Sequence, residues 1–444
     1  MPNMTTSNGS SAIDTVTISL LVTDNPKTIN NFIEYRITNS FVIPTAEWMF
    51  TMPQFTPADI AYYGGTALDV FAPGTTIQIK INGQIQMTGY IEKVSERLDP
   101  HSGSVITIQG RDIMARVLEG HIDPLALYTT NSTLQSIVET TLAPFGITQI
   151  DNSDLLNINV MTGKTGLPDE DTTFTSKQLK SIKGKYGEGA FRFIERLLAH
   201  QGFMIWARAD GNGVVISAPN YENSPLYSIT HKASGNSNIL SGERVIDITG
   251  QPTIIVAKGA STGDGSTSVI SSFVVMLNEL TAFDNNSNFL PQVAPIINKY
   301  ITAGATIIPP RTQLFAYRQN ININPIILPP MYIENKEAQD NNQLQLYVRH
   351  TMAHFQYKMY QLHYRVLGYT QNTVPYAVNT IISVSDDVLE LNEDMWILER
   401  TFSKSPTGGT VTDLKLIRKY TLDIGTSLGG SKIQGLSNNS PVKT

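Results

Sequence analysis

Residues 74–111 read GTTIQIKINGQIQMTGYIEKVSERLDPHSGSVITIQGR, and they decide the fold class because they contain three strands and two turns. Within residues 77–81, isoleucine alternates with polar side chains, which is the pattern of a strand with one buried face. Asn82 and Gly83 follow, and both tolerate positive φ, so they predict a two-residue hairpin turn. Residues 99–103 form a longer turn before the closing strand. The stretch therefore predicts an antiparallel meander.

A similar stretch lies near the C-terminus, where residues 387–418 read DVLELNEDMWILERTFSKSPTGGTVTDLKLIR. Each stretch has a tight turn containing Asn, which we place at residues 392–394 in the second. An aromatic residue, Tyr90 or Trp396, then leads a strand into a Pro- and Gly-containing loop with Gly103 or Gly409. We predict an internal duplication in which these residues form two equivalent pairs. Chance similarity between two hairpins is the open alternative.

Three more strands are predicted before the opening stretch, at residues 16–22, 33–41 and 45–53. Six short antiparallel strands in this part of the chain predict a small barrel or sandwich. Residues 55–74 interrupt them as a loop or short helix. We predict that this loop contacts a partner protein through three aromatic side chains: Tyr62, Tyr63 and Phe71.

The whole chain is predicted to be α+β and mainly β, with two similar antiparallel β-barrel domains, a small α/β domain and a long helix. Its predicted parts are a flexible N-terminal tail at 1–15, the first barrel at 16–111, the α/β domain at 112–222, the second barrel at 223–259 and 364–422, an insertion of extended segments and loops at 260–334, a helix at 335–363, and a polar C-terminal tail at 423–444.

Composition narrows the function classes. The net charge of −6 argues against general nucleic-acid binding, which requires a basic face. The absence of cysteine excludes disulfide frameworks, Cys-ligated metal sites and a thiol nucleophile. No basic start with an apolar run marks a signal peptide, so we expect no export by the general secretory route. No run of about 18 apolar residues is present, so we expect no stable membrane insertion.

Candidate chemical motifs are weak. His350 and His354 have the i, i+4 spacing of metal ligands, yet the accompanying Glu and a third ligand are missing, so packed helix histidines are the better interpretation. Residues 386–399 contain six acidic side chains that could include a carboxylate pair for glycoside hydrolysis. A solvated strand edge explains them better. We therefore predict no catalytic residue, no metal site, no cofactor and no enzymatic activity.

Four short motifs occur in order in the first barrel: Pro73-Gly74, Asn82-Gly83, Gly89-Tyr90-Ile91 and Gly110-Arg111-Asp112. With them the chain resembles the N-terminal barrel of Mu-like contractile-tail phage baseplate hub proteins. The C-terminal stretch also looks like the end of that family. The resemblance covers residues 16–258 and 335–422, whereas residues 260–333 depart from it.

The resemblance implies a homotrimer with two similar barrels per chain. Such a ring of pseudo-six-fold symmetry would join a six-fold tail tube to a three-fold central spike. It also implies contacts with the spike protein, the tail tube protein and other baseplate (wedge) proteins, in a virion tail baseplate assembled in the host cytoplasm. Open alternatives are the hub of a related injection device or bacteriocin, a tail-associated receptor-binding β protein, or a cell-wall hydrolase.

Overall fold

The structure is a computed structural model that describes residues 14–21, 27–99, 103–123, 125, 133–151, 186–199, 203–217, 219–221, 223–259, 273–278, 290–308, 329–335 and 341–422. Of the two predicted tails, residues 1–13 and 423–444 lie outside the described residues. Some of the predicted insertion at 260–334 also lies outside them.

The chain begins with a group of seven strands, which we call the first β-unit. The strands are β1 (Val16–Leu20), β2 (Lys27–Ile29), β3 (Glu34–Ser40), β4 (Glu47–Pro53), β5 (Thr76–Ile81), β6 (Gln84–Asp99) and β7 (Gly103–Asp112). Two short helices, α1 (Pro57–Tyr63) and α2 (Ala67–Val70), connect β4 to β5. Asn82 and Gly83 have φ values of 50° and 80°, which confirms the predicted turn between β5 and β6.

An α/β domain follows, which we call the first α/β domain. Its elements are α3 (Met114–Glu119), α4 (Leu134–Leu142), a 3₁₀ turn (Ala143–Phe145), β8 (Gln149–Asp151), α5 (Ala190–Ala199), β9 (Met204–Ala207) and β10 (Gly213–Ser217). Its sheet has the order β8-β10-β9. The helices pack on this sheet in a core of their own that includes Ile137, Phe193 and Val214.

The second β-unit begins with β11 (Tyr227–His231) and β12 (Ile239–Ile246) and is then interrupted by a second α/β domain. That domain contains β13 (Ile254–Gly259), β14 (Phe273–Leu277), α6 (Leu290–Thr302), β15 (Thr306–Ile308), β16 (Met331–Asn335) and α7 (Asn341–Met359). The second β-unit resumes with β17 (Tyr360–Leu367), β18 (Thr370–Gln371), β19 (Val374–Pro375), β20 (Ile381–Asp386), β21 (Leu391–Ser405) and β22 (Gly409–Arg418).

The second α/β domain corrects three predictions. The described part of the predicted loop insertion at 260–334 contains strands and a helix, in a four-stranded sheet of order β15-β14-β13-β16. Residues 254–259 belong to this sheet as β13 and not to the second β-unit. The long helix ends at Met359, and residues 360–363 already belong to a strand. Parallel pairing of β13 with β16 explains the error, because such pairs join segments distant in sequence.

The two β-units do not form two separate barrels among the described residues. Apart from the short pair β18-β19, their strands make one 13-stranded sheet in the order β12-β17-β22-β21-β3-β4-β7-β6-β5-β1-β2, with β20 and β11 branching from β21. One hydrophobic core contains Ile37 and Ile91 of the first unit together with Phe402 and Leu416 of the second. The predicted mainly β fold is confirmed, whereas the predicted pair of antiparallel barrels is not confirmed: the described strands form one continuous sheet.

Candidate assembly surfaces

The two β-units share one strand order. In the first unit, neighbouring strands run β3-β4-β7-β6-β5-β1, and in the second they run β12-β17-β22-β21-β20-β11. The corresponding strands also follow the same order along the chain. One difference is the terminal pair, because β1 is antiparallel to β5 whereas β11 is parallel to β20.

The central hairpins of the two units also agree in register. Tyr90 pairs with Arg111 in the first unit, and Trp396 pairs with Ile417 in the second. Each hairpin has an irregularity just after this pair, between Ile91 and Lys93 or between Ile397 and Glu399. The closing pairs are Asp99 with Gly103 and Ser405 with Gly409. Tyr90 with Trp396, and Gly103 with Gly409, therefore lie at corresponding register positions.

Both aromatic side chains face away from the core that the two β-units share. Trp396 is fully buried on the other face of the sheet, where its ring centroid lies 4.9 Å from that of Phe41, and its Nε1 donates to Asn379 Oδ1 at 3.2 Å. Tyr90 is half-buried against the first α/β domain, and the guanidinium carbon of Arg116 lies 3.5 Å from its ring centroid. Both residues therefore attach other parts of the chain to the sheet.

The predicted turn at residues 392–394 is wrong. These residues belong to β21, and the turn lies at residues 387–390, where Glu390 has a φ of 53°. Asp386 organises this turn because its Oδ1 accepts the amides of Val388 and Leu389, both at 2.9 Å. The aspartate therefore supplies the turn chemistry that Asn82 and Gly83 supply in the first unit.

The first β-unit joins the second where β3 pairs with residues 399–404 of β21. Thr38 and Thr401 face each other across this joint, with their Oγ1 atoms 3.1 Å apart. Nearby, the Tyr369 hydroxyl oxygen lies within hydrogen-bond distance, 2.8 Å, of both the Tyr35 hydroxyl and the Ser403 carbonyl oxygen. The joint is therefore an ordinary antiparallel pair with a continuous core beneath it.

The predicted contact loop is a small helical projection. Thr56 and Thr66 each form a capping box, and α1 buries none of its residues. Tyr62 is 63% exposed, whereas Tyr63 is half-buried and stacks on Phe55 at a centroid distance of 5.0 Å. Phe71 is fully buried in the shared core, which corrects its assignment as a contact residue. The residues next to Phe71 show no periodic pattern that predicts its burial, because Phe71 lies at the end of α2, where the helical pattern stops.

A cavity of about 520 Å³ lies where the two β-units meet the first α/β domain, and its lining includes Asn39, Met87, Arg208 and Arg400. Arg400 is 3% exposed, and among the described residues neither its Nε nor its Nη1 has a hydrogen-bond partner. Its guanidinium carbon lies 3.9 Å from the ring centroid of Phe402. Burial without an anionic partner lowers the pKa of Arg400 to about 9.

Asp112 is a second buried charged group that sequence reasoning missed as a structural residue. Its Oδ2 accepts the amide of Ala46 at 2.8 Å, and its Oδ1 accepts the amide of Met114 at 2.9 Å, at the start of α3. Burial raises the pKa of Asp112 to about 7, against the lowering effect of those two hydrogen bonds. The sequence pointed to Asp112 only through the motif Gly110-Arg111-Asp112, and that motif does not predict which backbone amides the carboxylate accepts.

The residues considered as metal ligands or catalytic carboxylates make contacts with neighbouring residues of the fold. The rings of His350 and His354 are 4.7 Å apart on α7, and burial lowers the pKa of His354. Of the acidic series, Asp386 accepts from the Tyr364 hydroxyl at 2.9 Å, and Glu393 pairs with Arg418 at 3.1 Å. The described residues contain no cluster of three or more potential metal ligands. None of the described helices has the length and hydrophobicity of a membrane span.

The comparison with protein families matches the first β-unit. Residues 17–112 match the family described as Mu phage baseplate assembly protein GpP-like, N-terminal. The baseplate hub protein gp44 of Escherichia phage Mu is 38% identical over 88 residues, which are 19% of this chain and 22% of that protein. The match thus spans only about a fifth of the curated relative. The predicted resemblance to Mu-like baseplate hub proteins is confirmed on this unit.

Solved structures extend the likeness in fold to nearly the whole chain. A tail protein from Neisseria meningitidis MC58 has a TM-score of 0.64 at 15% identity, covering 93% of this chain and 99% of that one. The 43 kDa tail protein of prophage MuSo2 from Shewanella oneidensis has a TM-score of 0.61 at 16% identity, covering 93% and 99%. At these identities the likeness concerns the fold alone.

Proposed function

We propose that this protein is a structural hub of a contractile-tail baseplate. The observation that carries the proposal is the repeated β-unit, which has the same strand order and the same hairpin register in both copies. The first copy is also the segment that matches the Mu phage baseplate assembly family. We attribute the repeat to an internal duplication.

Three chains with two such units each make a ring of six near-equivalent units. A ring of this kind can meet a six-fold tube on one face and a three-fold spike on the other, because the units repeat six times and the chains three times. The proposed partners are two further copies of this chain, the central spike protein, the tail tube protein and the wedge proteins. The proposed location is the tail baseplate of the virion, after assembly in the host cytoplasm.

The proposed role involves no chemistry by this chain. The ion pairs and hydrogen bonds of Asp386, Glu393 and Glu399 support this role, because each carboxylate binds residues of the same sheet. A lytic assay on the isolated chain tests it with Glu393→Ala and Asp394→Ala. Lysis by the unchanged protein that disappears in these variants would contradict the structural role.

The mass of the assembled protein tests the ring. Light scattering of the purified chain is expected to give three times 48.9 kDa, either alone or, once the mass of the bound spike is subtracted, in complex with its spike. Averaged electron micrographs should show six similar lobes around an axis. A chain that stays monomeric in both samples would contradict the proposal.

A further inference from the structure

Among the described residues, two stretches of sheet edge have no neighbouring strand, although their equivalents in the other unit are paired. Residues 399–404 of β21 lie against β3, and the register places residues 93–98 of β6 at the same positions of the first unit. On the side facing β5, the described pairing of β6 reaches Tyr90 and its backbone hydrogen bonds reach Ile91, so residues 93–98 continue past the end of that neighbour. Leu98 is 77% exposed there.

The second open edge belongs to β12, the counterpart of β3. Both strands pair with the next strand of their unit in the same way: Ile37 pairs with Trp48 as Arg244 pairs with Leu362. Trp48 and Leu362 in turn pair with the corresponding residues Gly110 and Leu416. In the described residues, β12 has β17 as its only ladder partner over residues 241–246. Its burial pattern is exposed at nearly every position, unlike that of β3.

The register of the internal joint can be transferred to these two edges. In the joint, Phe402 pairs with Ile37, Thr401 with Thr38 and Glu399 with Ser40. Replacing each residue by its counterpart in the other unit gives six pairs between β6 and the β12 region. The pairs are Lys93 with Asp247, Val94 with Ile246, Ser95 with Val245, Glu96 with Arg244, Arg97 with Glu243, and Leu98 with Gly242.

These pairs are chemically complementary. Three of the six join opposite charges: Lys93 with Asp247, Glu96 with Arg244, and Arg97 with Glu243. Opposite charges directly across an antiparallel pair are stabilising, whereas like charges are destabilising.

The remaining pairs fit as well. Val94 faces the half-exposed Ile246, and Leu98 faces Gly242, which offers no side chain against it. Nothing in the transfer of register used the identity of these side chains, so the complementarity is independent support.

We infer that β12 of one copy of this chain pairs in antiparallel orientation with residues 93–98 of β6 in the next copy, continuing the sheet from chain to chain. The inference rests on the proposed hub function and adds the interface that closes its ring. A second copy is the occupant because the two edges fit each other and lie on one chain. The contact is head-to-tail, and such a contact closes into a ring when its rotation matches that of the internal joint.

Designed disulfides test the interface, because the chain contains no native cysteine. Thr38 and Thr401 are close enough for their hydroxyls to touch at 3.1 Å, so their counterparts Val245 and Ser95 suit a disulfide. The Ser95→Cys/Val245→Cys protein is expected to give closed covalent trimers on a non-reducing gel after mild oxidation. Each single variant alone should give no ladder, and the two single variants mixed should give crosslinked dimers.

Two matched controls accompany this experiment. The Thr38→Cys/Thr401→Cys protein should form an intramolecular disulfide, which shows that oxidation works at the internal joint. The Ser95→Cys/Ile246→Cys protein is shifted by one residue, so its two cysteines point to opposite faces, and its crosslinking should drop at least about tenfold.

Charge exchange gives a second measurement that does not depend on oxidation. Glu243→Arg places like charges opposite Arg97 at three interfaces per ring, and we expect the assembly constant to fall by roughly tenfold or more. Adding Arg97→Glu should restore it. Both proteins should keep the circular dichroism spectrum of the unchanged chain.

The outcomes separate this inference from the hub function. A trimer by light scattering that forms no Ser95–Val245 crosslink, while the internal control is oxidised, overturns the interface and leaves the hub function standing. A monomer without crosslinks overturns both. Loss of assembly in Glu243→Arg without rescue by Arg97→Glu would also overturn the predicted pairing.

Discussion

Residues 93–98 of β6 and residues 399–404 of β21 occupy the same register positions in the two β-units, yet the first stretch is mostly exposed and the second is largely buried. The difference comes from the neighbour, because β3 covers β21 and no described strand of this chain covers β6 on that side. At equivalent backbone positions, the side chains therefore differ according to whether a neighbouring strand covers them. The burial of a position reports its neighbour as well as its place in the fold.

The same comparison holds inside the units. Trp48 faces Gly110 across β4 and β7, and the corresponding pair across β17 and β22 is Leu362 with Leu416. A Cβ on Gly110 would lie 2.7 Å from the Trp48 ring. The first unit therefore fills this place with one large and one small residue, and the second unit fills it with two leucines, which occupy the core equally well.

The largest expected difference between the units concerns their two aromatic residues. Trp396→Ala removes a fully buried side chain and should lower the free energy of unfolding by about 3–5 kcal/mol. Tyr90→Ala should cost about 1–2 kcal/mol, because Tyr90 is half-buried and loses mainly its contact with Arg116. Urea denaturation measures both. Equal losses of unfolding free energy in the two variants would contradict the expectation that burial determines how much each aromatic residue stabilises the fold.

A pH effect distinguishes Asp112 from its counterpart Arg418. Because burial raises the pKa of Asp112 to about 7, the native state binds more protons than the unfolded state between about pH 4 and pH 7. Stability from this group is present at low pH and lost as pH rises through 7, by roughly 2–4 kcal/mol in total. Asp112→Asn should remove this slope in urea denaturation curves. The exposed Asp123→Asn is the control, and an unchanged slope in Asp112→Asn would contradict the assignment.

Arg400 is expected to be a cost to stability, whereas its counterpart Val94 is not. Arg400→Met should raise the free energy of unfolding by about 1–3 kcal/mol, because it removes a buried charge with two unpaired nitrogens. Since burial lowers the pKa of Arg400 to about 9, the gain should shrink as pH rises above 9. Thermal melts at several pH values measure it. Arg365→Met, at an exposed arginine paired with Asp413, is the control and should change stability little. A large loss in Arg400→Met would show that the charge has a partner in the folded protein.

The smallest expected effect is an equal, modest loss of stability on replacing either of the two equivalent glycines. Gly103 and Gly409 have φ values of 82° and 66°, and a Cβ on either would meet no atom within 4 Å. Gly103→Ala and Gly409→Ala should therefore each cost about 1 kcal/mol, from backbone conformation alone. Chemical denaturation of the two variants checks this. Costs that differ by more than the experimental error would show that the two loops are not equivalent.

Much of the local structure was predictable. The turn at Asn82-Gly83 and the strands around it depend on residues adjacent in sequence, and they were found in place. The prediction failed for residues 392–394, because Asp386 builds its turn with a side chain several residues earlier. It failed again for Phe71, whose burial depends on core residues from distant strands.

The remaining failures have one physical cause. Parallel pairs such as β13 with β16, and the joint between β3 and β21, bring together segments far apart in the chain. Local alternation states that a strand has a buried face, but it does not state which strand lies beside it. The resemblance to a known family therefore covered residues 16–258 and 335–422, and residues 260–334, part of the second α/β domain, were predicted as an insertion of extended segments and loops.

The sequence by itself determined the strands of the two central hairpins, the turn at Asn82-Gly83 and the similarity between the two hairpins, because alternation and turn residues act within a few positions of the chain. Only the tertiary structure decided that β3 lies on β21, that Arg400 is buried beside the cavity where the units meet the first α/β domain, and that the described strands leave edges of β6 and β12 open. These features depend on where distant strands meet, and the free energy of that meeting comes from side chains that no local pattern places together.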